Sequence, residues 1–269
     1  VVGENARVDH YKVQREGGFS TMFDFPLHFA IVDVFCNGHS PARLGAVLTS
    51  DRLYPSPLSL TTLADNHDLP RLMSQCGHDL EKARGAIAFL LTARGIPSII
   101  WGTEIGQVGE KDPENRPSMQ FAQAPMKGEI ARWTALRSGS PALGHGAPLV
   151  LEASRDVFAC LRLVDDRAAL FVFNRGGAQW NAPALEGTWN RPLTVGPRSL
   201  EVFFGQGSFG ALAASARALL EGRAVLREVR FVAQGLTAGQ DDEVRVVGSG
   251  PELGAWHPEA GLKLTGAAG

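Results

Sequence analysis

The hydrophobic and polar positions of the first 140 residues alternate between short apolar runs and longer helical patterns. The apolar runs Val1–Val2, Thr21–Phe25, Ser59–Leu63 and Ile96–Trp101 predict four short strands. Each run is followed by a helix or by a gap long enough for one, which is typical of repeated βα units and a parallel sheet. Four such units make half of an eight-fold barrel, and a half-barrel leaves an open parallel edge.

The clearest helix follows the third strand. Its apolar residues fall on one face at 3.6-residue spacing; they are Ala83, Ile87, Leu90 and Leu91. Asp79 is the expected N-cap, and Gly95 and Pro97 are expected to end the helix. Further helices are predicted over 27–35 and 129–137.

From about Pro148 the pattern changes to the alternation of antiparallel strands, over 158–164, 169–174 and 200–204. We therefore predict a small antiparallel β domain at 141–207. An Ala-rich helical stretch is interpreted as a linker at 208–224, and a further β segment occupies 225–269.

Composition and charge narrow the choice of partners. The chain has 269 residues, 44% of them hydrophobic and 20% charged, with a formal net charge of -2. This length predicts two or more domains, and the charge provides no basic surface for nucleic acid or an anionic membrane. The longest apolar run, Ala86–Leu91, is far shorter than the ~20 residues of a membrane span. Neutral partners are expected.

The three cysteines, Cys36, Cys76 and Cys160, are far apart and odd in number. They match no disulfide framework or metal-site spacing. Reduced structural thiols are the favoured interpretation, and one disulfide is the alternative.

Carboxylates at the ends of the predicted strands are the main chemical signal. Glu4 follows the first strand, Asp65 and Asp68 follow the third, and Glu104 follows the fourth. The carboxyl ends of parallel barrel strands meet at one rim, where catalytic groups collect. Glycoside hydrolysis uses such a set, because one acid protonates the leaving oxygen and carboxylates stabilise the oxocarbenium-like transition state. The alternative is that these residues are helix caps and turn formers.

Four motifs resemble family 13 glycoside hydrolases, the α-amylase family. Ala64-Asp65-Asn66-His67-Asp68 with Pro70-Arg71 resembles the motif after the seventh barrel strand, and Gly95–Glu104 resembles the eighth strand, with Trp101 in place of a usual Tyr. Asp112–Arg116 with Met119 resembles the following loop, and Val2-Gly3-Glu4 resembles the fifth-strand motif. The matches keep the family's order over residues 1–140.

The resemblance implies roles for individual residues. Glu4 would be the general acid/base, and Asp68 the second, non-nucleophilic carboxylate. Asn66, His67 and Arg116 would contact the substrate. Glu104 is interpreted as structural.

The resemblance also implies what to expect elsewhere in a longer protein. The family's nucleophile is an Asp after the fourth strand, upstream of Val1, so no Asp here takes that role. This chain alone is therefore expected to be inactive. Calcium is common in the family, but no ligand in this chain is assigned to it.

Near the end of the chain, Val246–Trp256 resembles the start of a family 20 carbohydrate-binding module, which binds starch. The resemblance implies that Trp256 stacks on a glucose face, because an indole buries the apolar face of a pyranose. The alternative is a tryptophan buried in a core.

The expected fold is therefore α/β plus all-β: the second half of a (β/α)8 TIM barrel, an antiparallel β-sandwich domain C and a partial β-sandwich starch-binding module. The resemblance implies a retaining enzyme acting on α-1,4-glucans, with starch or maltodextrin as the partner and a secreted location. A glucan transglycosylase and a non-catalytic carbohydrate-binding protein remain the alternatives.

Overall fold

The computed structural model describes residues 2–4, 10–121, 123–222, 245–246 and 262–263. The chain divides into two compact units, Val1–Val225 and Leu226–Gly269. The strands of the first unit are β1 Val2–Gly3, β2 Thr21–Met22, β3 Thr61–Leu63, β4 Ile96–Ser98, β5 Ala147–Ala153, β6 Val157–Val164, β7 Arg167–Asn174, β8 Trp180–Asn181, β9 Thr188–Trp189, β10 Thr194–Val195 and β11 Ser199–Gln206. Its helices are α1 His10–Gly17, α2 Phe25–Ile31, α3 Ala42–Thr49, α4 Leu72–Gln75, α5 Leu80–Thr92, α6 Lys127–Gly139, α7 Pro141–His145 and α8 Gly210–Leu220.

Strands β1 to β4 lie side by side in chain order, and all are parallel. β1 pairs with β2 and β3 pairs with β4, while a bridge between Phe23 and Thr61 joins the two pairs. Val2 of β1 and Ile96 of β4 are 52% and 54% exposed at the two ends of this row. The arrangement fits a partial (β/α)8 barrel with open edges, as the sequence predicts.

The helix expected after β3 forms as α5. Asp79 is its N-cap, since its side chain accepts hydrogen bonds from the N–H groups of Glu81 and Lys82. Such a cap satisfies amide groups that lack a partner within the helix. The helix predicted over 27–35 begins earlier, at Phe25, and continues beyond Ile31 as a π-helical turn, Val32–Cys36.

The second layer is an antiparallel sheet with the strand order β5-β6-β7-β11-β9. One face packs against the barrel helices, with Phe158 and Phe171 in the same core as Phe89 of α5. Alternate residues point to opposite faces of a strand, so Leu161 and Leu170 lie in the core of the other face.

That other face is covered by α8 and by the short ribbon β8–β10. The predicted antiparallel domain is therefore present as a five-stranded sheet with a helix and a two-stranded ribbon on its outer face. The helix expected within the linker 208–224 packs into this core through Ala213, Ala216 and Leu220. It belongs to the layer and is not a free connector.

Two of the three cysteines are joined. Cys36, at the end of the π-helical turn, forms a disulfide with Cys76, which follows α4. Cys160 is a free, buried thiol. The favoured interpretation, three reduced thiols, is wrong for the first two, because the fold brings together residues separated by 40 positions.

In the second unit, the described residues form one antiparallel pair, β12 Arg245–Val246 with β13 Leu262–Lys263. Apart from these four residues, the predicted starch-binding module, including Trp256, lies outside the described residues.

Candidate functional site

The carboxyl ends of β1 to β4 define one rim of the parallel row, and the predicted catalytic residues follow two of these strands. Glu4 is exposed directly after β1, and Asp68 lies on the loop after β3. The two strands are separated by β2, about 10 Å across at ordinary strand spacing. The register is staggered, because Gly3 pairs with Met22 and the next residue, Phe23, pairs with Thr61 at the start of β3. Glu4 therefore lies level with the beginning of β3, and Asp68 lies beyond its end.

Asp68 is held between two partners that the sequence also singles out. Arg116 donates from Nη2 to Asp68 Oδ1 at 2.5 Å, and His67 Nε2 lies 3.2 Å from Asp68 Oδ2. The three side chains are 40–50% exposed. This cluster presents a carboxylate of fixed orientation, an imidazole and a guanidinium to a ligand at the rim.

Asn66 builds the turn that carries this cluster. Its Oδ1 accepts hydrogen bonds from the N–H groups of Asp68 at 2.9 Å and Leu69 at 3.0 Å. An asparagine side chain that accepts from the backbone two residues ahead forms an Asx-turn. Because Asn66 is also buried, its observed contacts are structural, and its contact with substrate remains a prediction.

Asn115, on the loop after β4, also binds this turn. Its Nδ2 donates to the carbonyl oxygens of His67 and Leu69, both at 3.0 Å. Arg116 adds a bond from Nε to the His67 carbonyl at 2.9 Å. The sequence pattern indicates Arg116 but not Asn115, because an amide that binds main-chain carbonyls has no sequence signature of its own.

Arg71 and Asp65 form a buried ion pair beneath the turn. Arg71 Nε lies 3.1 Å from Asp65 Oδ2, which also accepts from the N–H of Leu72 at 2.8 Å. Burial raises the pKa of the Asp65 carboxyl, while the Leu72 hydrogen bond and the charge of Arg71 oppose that effect. Arg71 also donates to the carbonyl oxygens of Asn115 and Trp101, so one cation ties the loop after β3 to the loop after β4.

Glu104 and three further tryptophans are not part of this cluster. Glu104 lies in a 3-10 turn, and its main-chain carbonyl oxygen accepts from the N–H of Met126; a structural role for its side chain remains a prediction. Trp133 and Trp180 are buried packing residues, and Trp189 packs edge-on against Phe209 with ring centroids 5.5 Å apart.

Among the described residues, no group of three or more His, Cys, Asp or Glu side chains is arranged to hold a metal ion. No calcium site is therefore assigned to them. In the same part of the chain, no helix has the length and apolar character needed to cross a membrane.

Comparison of the sequence with known proteins identifies a matching family and several relatives. Residues 46–140 match the profile described as "Alpha amylase, catalytic domain". The beta/alpha-amylase of Paenibacillus polymyxa is 32% identical over 168 residues, 59% of this chain and 14% of that protein. The cyclomaltodextrin glucanotransferase of Bacillus sp. (strain 38-2) is 30% identical over 181 residues, 65% of this chain and 25% of that protein. The chain thus spans about a seventh of the length of the first relative and a quarter of the length of the second.

Among solved structures, the ligand-free cyclic alpha-maltosyl-(1-->6)-maltose hydrolase of Arthrobacter globiformis has a similar fold. The TM-score is 0.69 at 20% identity, covering 77% of this chain and 48% of that one. The same hydrolase has been solved in complex with maltose. At this identity the likeness shows the fold, and it agrees with a partial barrel followed by an antiparallel domain. Residues 46–140 thus match the catalytic domain of the α-amylase family, and the chain is similar to members of that family.

Proposed function

We propose that this chain supplies the second half of an α-amylase-type catalytic barrel that acts on α-1,4-glucans such as starch, glycogen or maltodextrin. The observation that carries the proposal is the Asp68 cluster, in which Arg116 and His67 flank an accessible carboxylate at the carboxyl rim of parallel strands. Two kinds of relative have names that indicate action on glucans of this class. They are the amylases and the cyclomaltodextrin glucanotransferases.

The proposed chemistry divides between two carboxyl groups. Glu4 donates a proton to the leaving glycosidic oxygen, and Asp68 accepts hydrogen bonds from sugar hydroxyls while its negative charge stabilises the oxocarbenium-like transition state. Arg116 keeps Asp68 in one orientation, so little reorganisation is needed as charge develops. A retaining reaction also requires a nucleophile about 5–5.5 Å from the acid. We assign none in this chain, and we expect the chain alone to have no turnover.

A chimaera tests the proposal. Residues 1–225 would replace the equivalent half of the Bacillus glucanotransferase, and the release of reducing ends from soluble starch would be measured. Glu4→Gln should lower kcat/KM by roughly 10²–10⁴-fold, the usual contribution of a general acid. Glu16→Gln makes the same chemical change at an exposed position of α1 and should leave kcat/KM unaltered. Near-normal turnover in Glu4→Gln would refute the acid assignment.

Asp68→Asn in the same chimaera tests the role proposed for Asp68 separately from that of Glu4. We expect a loss of turnover together with weaker binding of maltotriose, because the amide presents a donor where the carboxylate offers only acceptors. Kinetics unchanged from the parent chimaera would remove Asp68 from the site.

Transglycosylation is the alternative activity, favoured by the glucanotransferase relative. The products of the same assay decide between them: linear malto-oligosaccharides indicate hydrolysis, and cyclic or lengthened products indicate transfer. A chimaera that binds maltotriose with no turnover would support the non-catalytic alternative.

Starch binding through Trp256 and a secreted location are further parts of the proposal. A disulfide such as Cys36–Cys76 is typical of oxidising compartments, and this supports secretion. Retention on insoluble starch that survives Trp256→Ala would contradict the role of Trp256. Recovery of the native protein only from the cytoplasm would contradict secretion.

A further inference from the structure

Trp101 is a large aromatic residue that the proposed chemistry does not use, and it is 43% exposed. It follows β4, as Asp68 follows β3, so both side chains belong to loops at the same rim. Indoles are usually buried to a greater extent, because they carry a large apolar surface. Because β4 is the last strand of the described row, the exposure of Trp101 is informative only together with the contacts that fix its ring.

The indole is fixed on its protein side. Its Nε1 donates to the carbonyl oxygen of Pro117 at 3.2 Å, and the guanidinium carbon of Arg71 lies 5.8 Å from the ring centroid. Arg71 is completely buried and is itself held by Asp65, so its contact with the ring is made from the protein interior. The exposed part of the ring is the part that this contact leaves uncovered.

The backbone around Trp101 is also fixed. Arg71 Nη2 donates to the carbonyl oxygen of Trp101 at 2.5 Å. The next residue, Gly102, has a φ of 85°, which a residue with a side chain rarely adopts. The ring therefore loses little freedom when a ligand covers it, and a preorganised surface binds with a smaller entropic cost.

The loop that binds the indole also carries a polar group of the site. Arg116 binds Asp68, and the adjacent Pro117 binds the indole. The Cα atoms of such neighbours are about 3.8 Å apart. Arg116, Asp68 and His67 are all partly exposed, and they are the hydrogen-bonding groups that we expect a sugar ring on Trp101 to reach.

An apolar platform edged by charged donors and acceptors matches a pyranose, whose C–H face is apolar and whose edge carries hydroxyls. We propose that Trp101 is the floor of a glucose-binding subsite next to Asp68, which takes one residue of a malto-oligosaccharide. This inference rests on the proposed substrate class but needs no turnover, so it can be tested on this chain alone.

The test is a titration of the chain with maltotriose, observed through the indole N–H signals of its five tryptophans in a nitrogen-15 NMR spectrum. The Trp101 signal, assigned from its absence in Trp101→Phe, should shift on titration. Trp101→Ala should weaken binding about tenfold, because the stacking surface is lost. Trp101→Phe keeps a smaller ring and should show an intermediate loss.

The controls separate this subsite from other sources of binding. Trp189→Phe makes the same change at a half-buried indole that packs on Phe209, and it should bind as the parent does. All variants, and the chain with which they are compared, would carry Trp256→Ala, which removes the other predicted sugar-binding tryptophan and leaves four indole signals. Cellotriose should bind more weakly than maltotriose.

Three results would overturn the proposal: no binding of maltotriose, unchanged affinity in Trp101→Ala, or a Trp101 signal that does not move. If the variant fails to fold, the parent's Trp101 signal still decides the question. Failure of the proposed function would look different, because the chimaera could lack turnover while Trp101 still binds maltotriose.

Discussion

His28 should make the stability of this chain depend on pH, and the structure allows the size of the effect to be calculated. The side chain is 1% exposed on α2, and the ring centroid of Phe29 is 5.1 Å away. Burial lowers the pKa of His28 to about 4, while a hydrogen bond to the Ala64 backbone and the charge of Asp24 act in the opposite direction. In the unfolded chain the imidazole has its ordinary pKa of about 6.5.

The sign follows from proton binding. Between pH 6.5 and pH 4 the unfolded chain binds more protons at this position than the folded chain, so the free energy of unfolding falls as the pH falls. The two pKa values give a loss of about 2 kcal/mol on going from pH 7.5 to pH 5, and about 3 kcal/mol when the imidazole is fully protonated. The charge would form next to Ala64, which directly precedes Asp65.

Urea unfolding at pH 7.5 and pH 5.0 measures this effect. His28→Gln loses packing at both pH values, so the quantity to compare is the change in stability between them, which should be about 2 kcal/mol smaller than in the parent. Other titrating groups are common to both proteins and cancel. His78→Asn, at an exposed histidine, should retain the parent's pH dependence. If His28→Gln loses as much stability as the parent between the two pH values, the buried neutral imidazole is not the cause.

Three further experiments test the scaffold around the site. Arg71→Met should lower the free energy of unfolding by about 3–5 kcal/mol, because it leaves the Asp65 carboxylate buried without its partner. Adding Asp65→Leu should recover part of that loss. A double variant no more stable than Arg71→Met alone would contradict the pairing. Asp79→Ala should cost about 1 kcal/mol through the lost cap, whereas Asp79→Asn should cost much less since asparagine also caps helices; equal losses in thermal or urea unfolding would argue against capping. Thiol titration of the unreduced, unfolded chain should detect one thiol, and detection of three would disprove the disulfide between Cys36 and Cys76.

Much of the rim could be predicted from sequence because its signals are local. The apolar runs that become β1 to β4 are short and bounded, and Asp79 stands directly before a periodic helix. The loop from Asp65 to Asp68 could be located because it follows a strand signal directly. In each case the physical cause lies within a few residues of its effect.

The features that sequence analysis missed depend on distant residues. The partners Cys36 and Cys76 are 40 positions apart, and no spacing rule connects them. Arg94 is buried against Asp24 and Asp51, which are 70 and 43 positions away. Burial alone would lower the pKa of Arg94, but the two carboxylates raise it above its usual range. Such pairings become visible only when the fold brings these segments together.

The core between the two layers explains how an open row of four parallel strands can keep an ordered rim. Phe89 of α5 meets Phe158 and Phe171 of the antiparallel sheet at centroid distances of 5.7 and 5.5 Å, and Phe35 meets Phe173 at 4.8 Å. Aromatic pairs at these separations contribute beyond the area that they bury. The barrel helices are thus packed from the sheet side, independently of the exposed edges at β1 and β4. Because the loops after β3 and β4 are joined by Arg71 within this packed unit, the proposed sugar binding at Trp101 and Asp68 can be tested on this chain, whereas turnover requires a nucleophile that we do not assign to it.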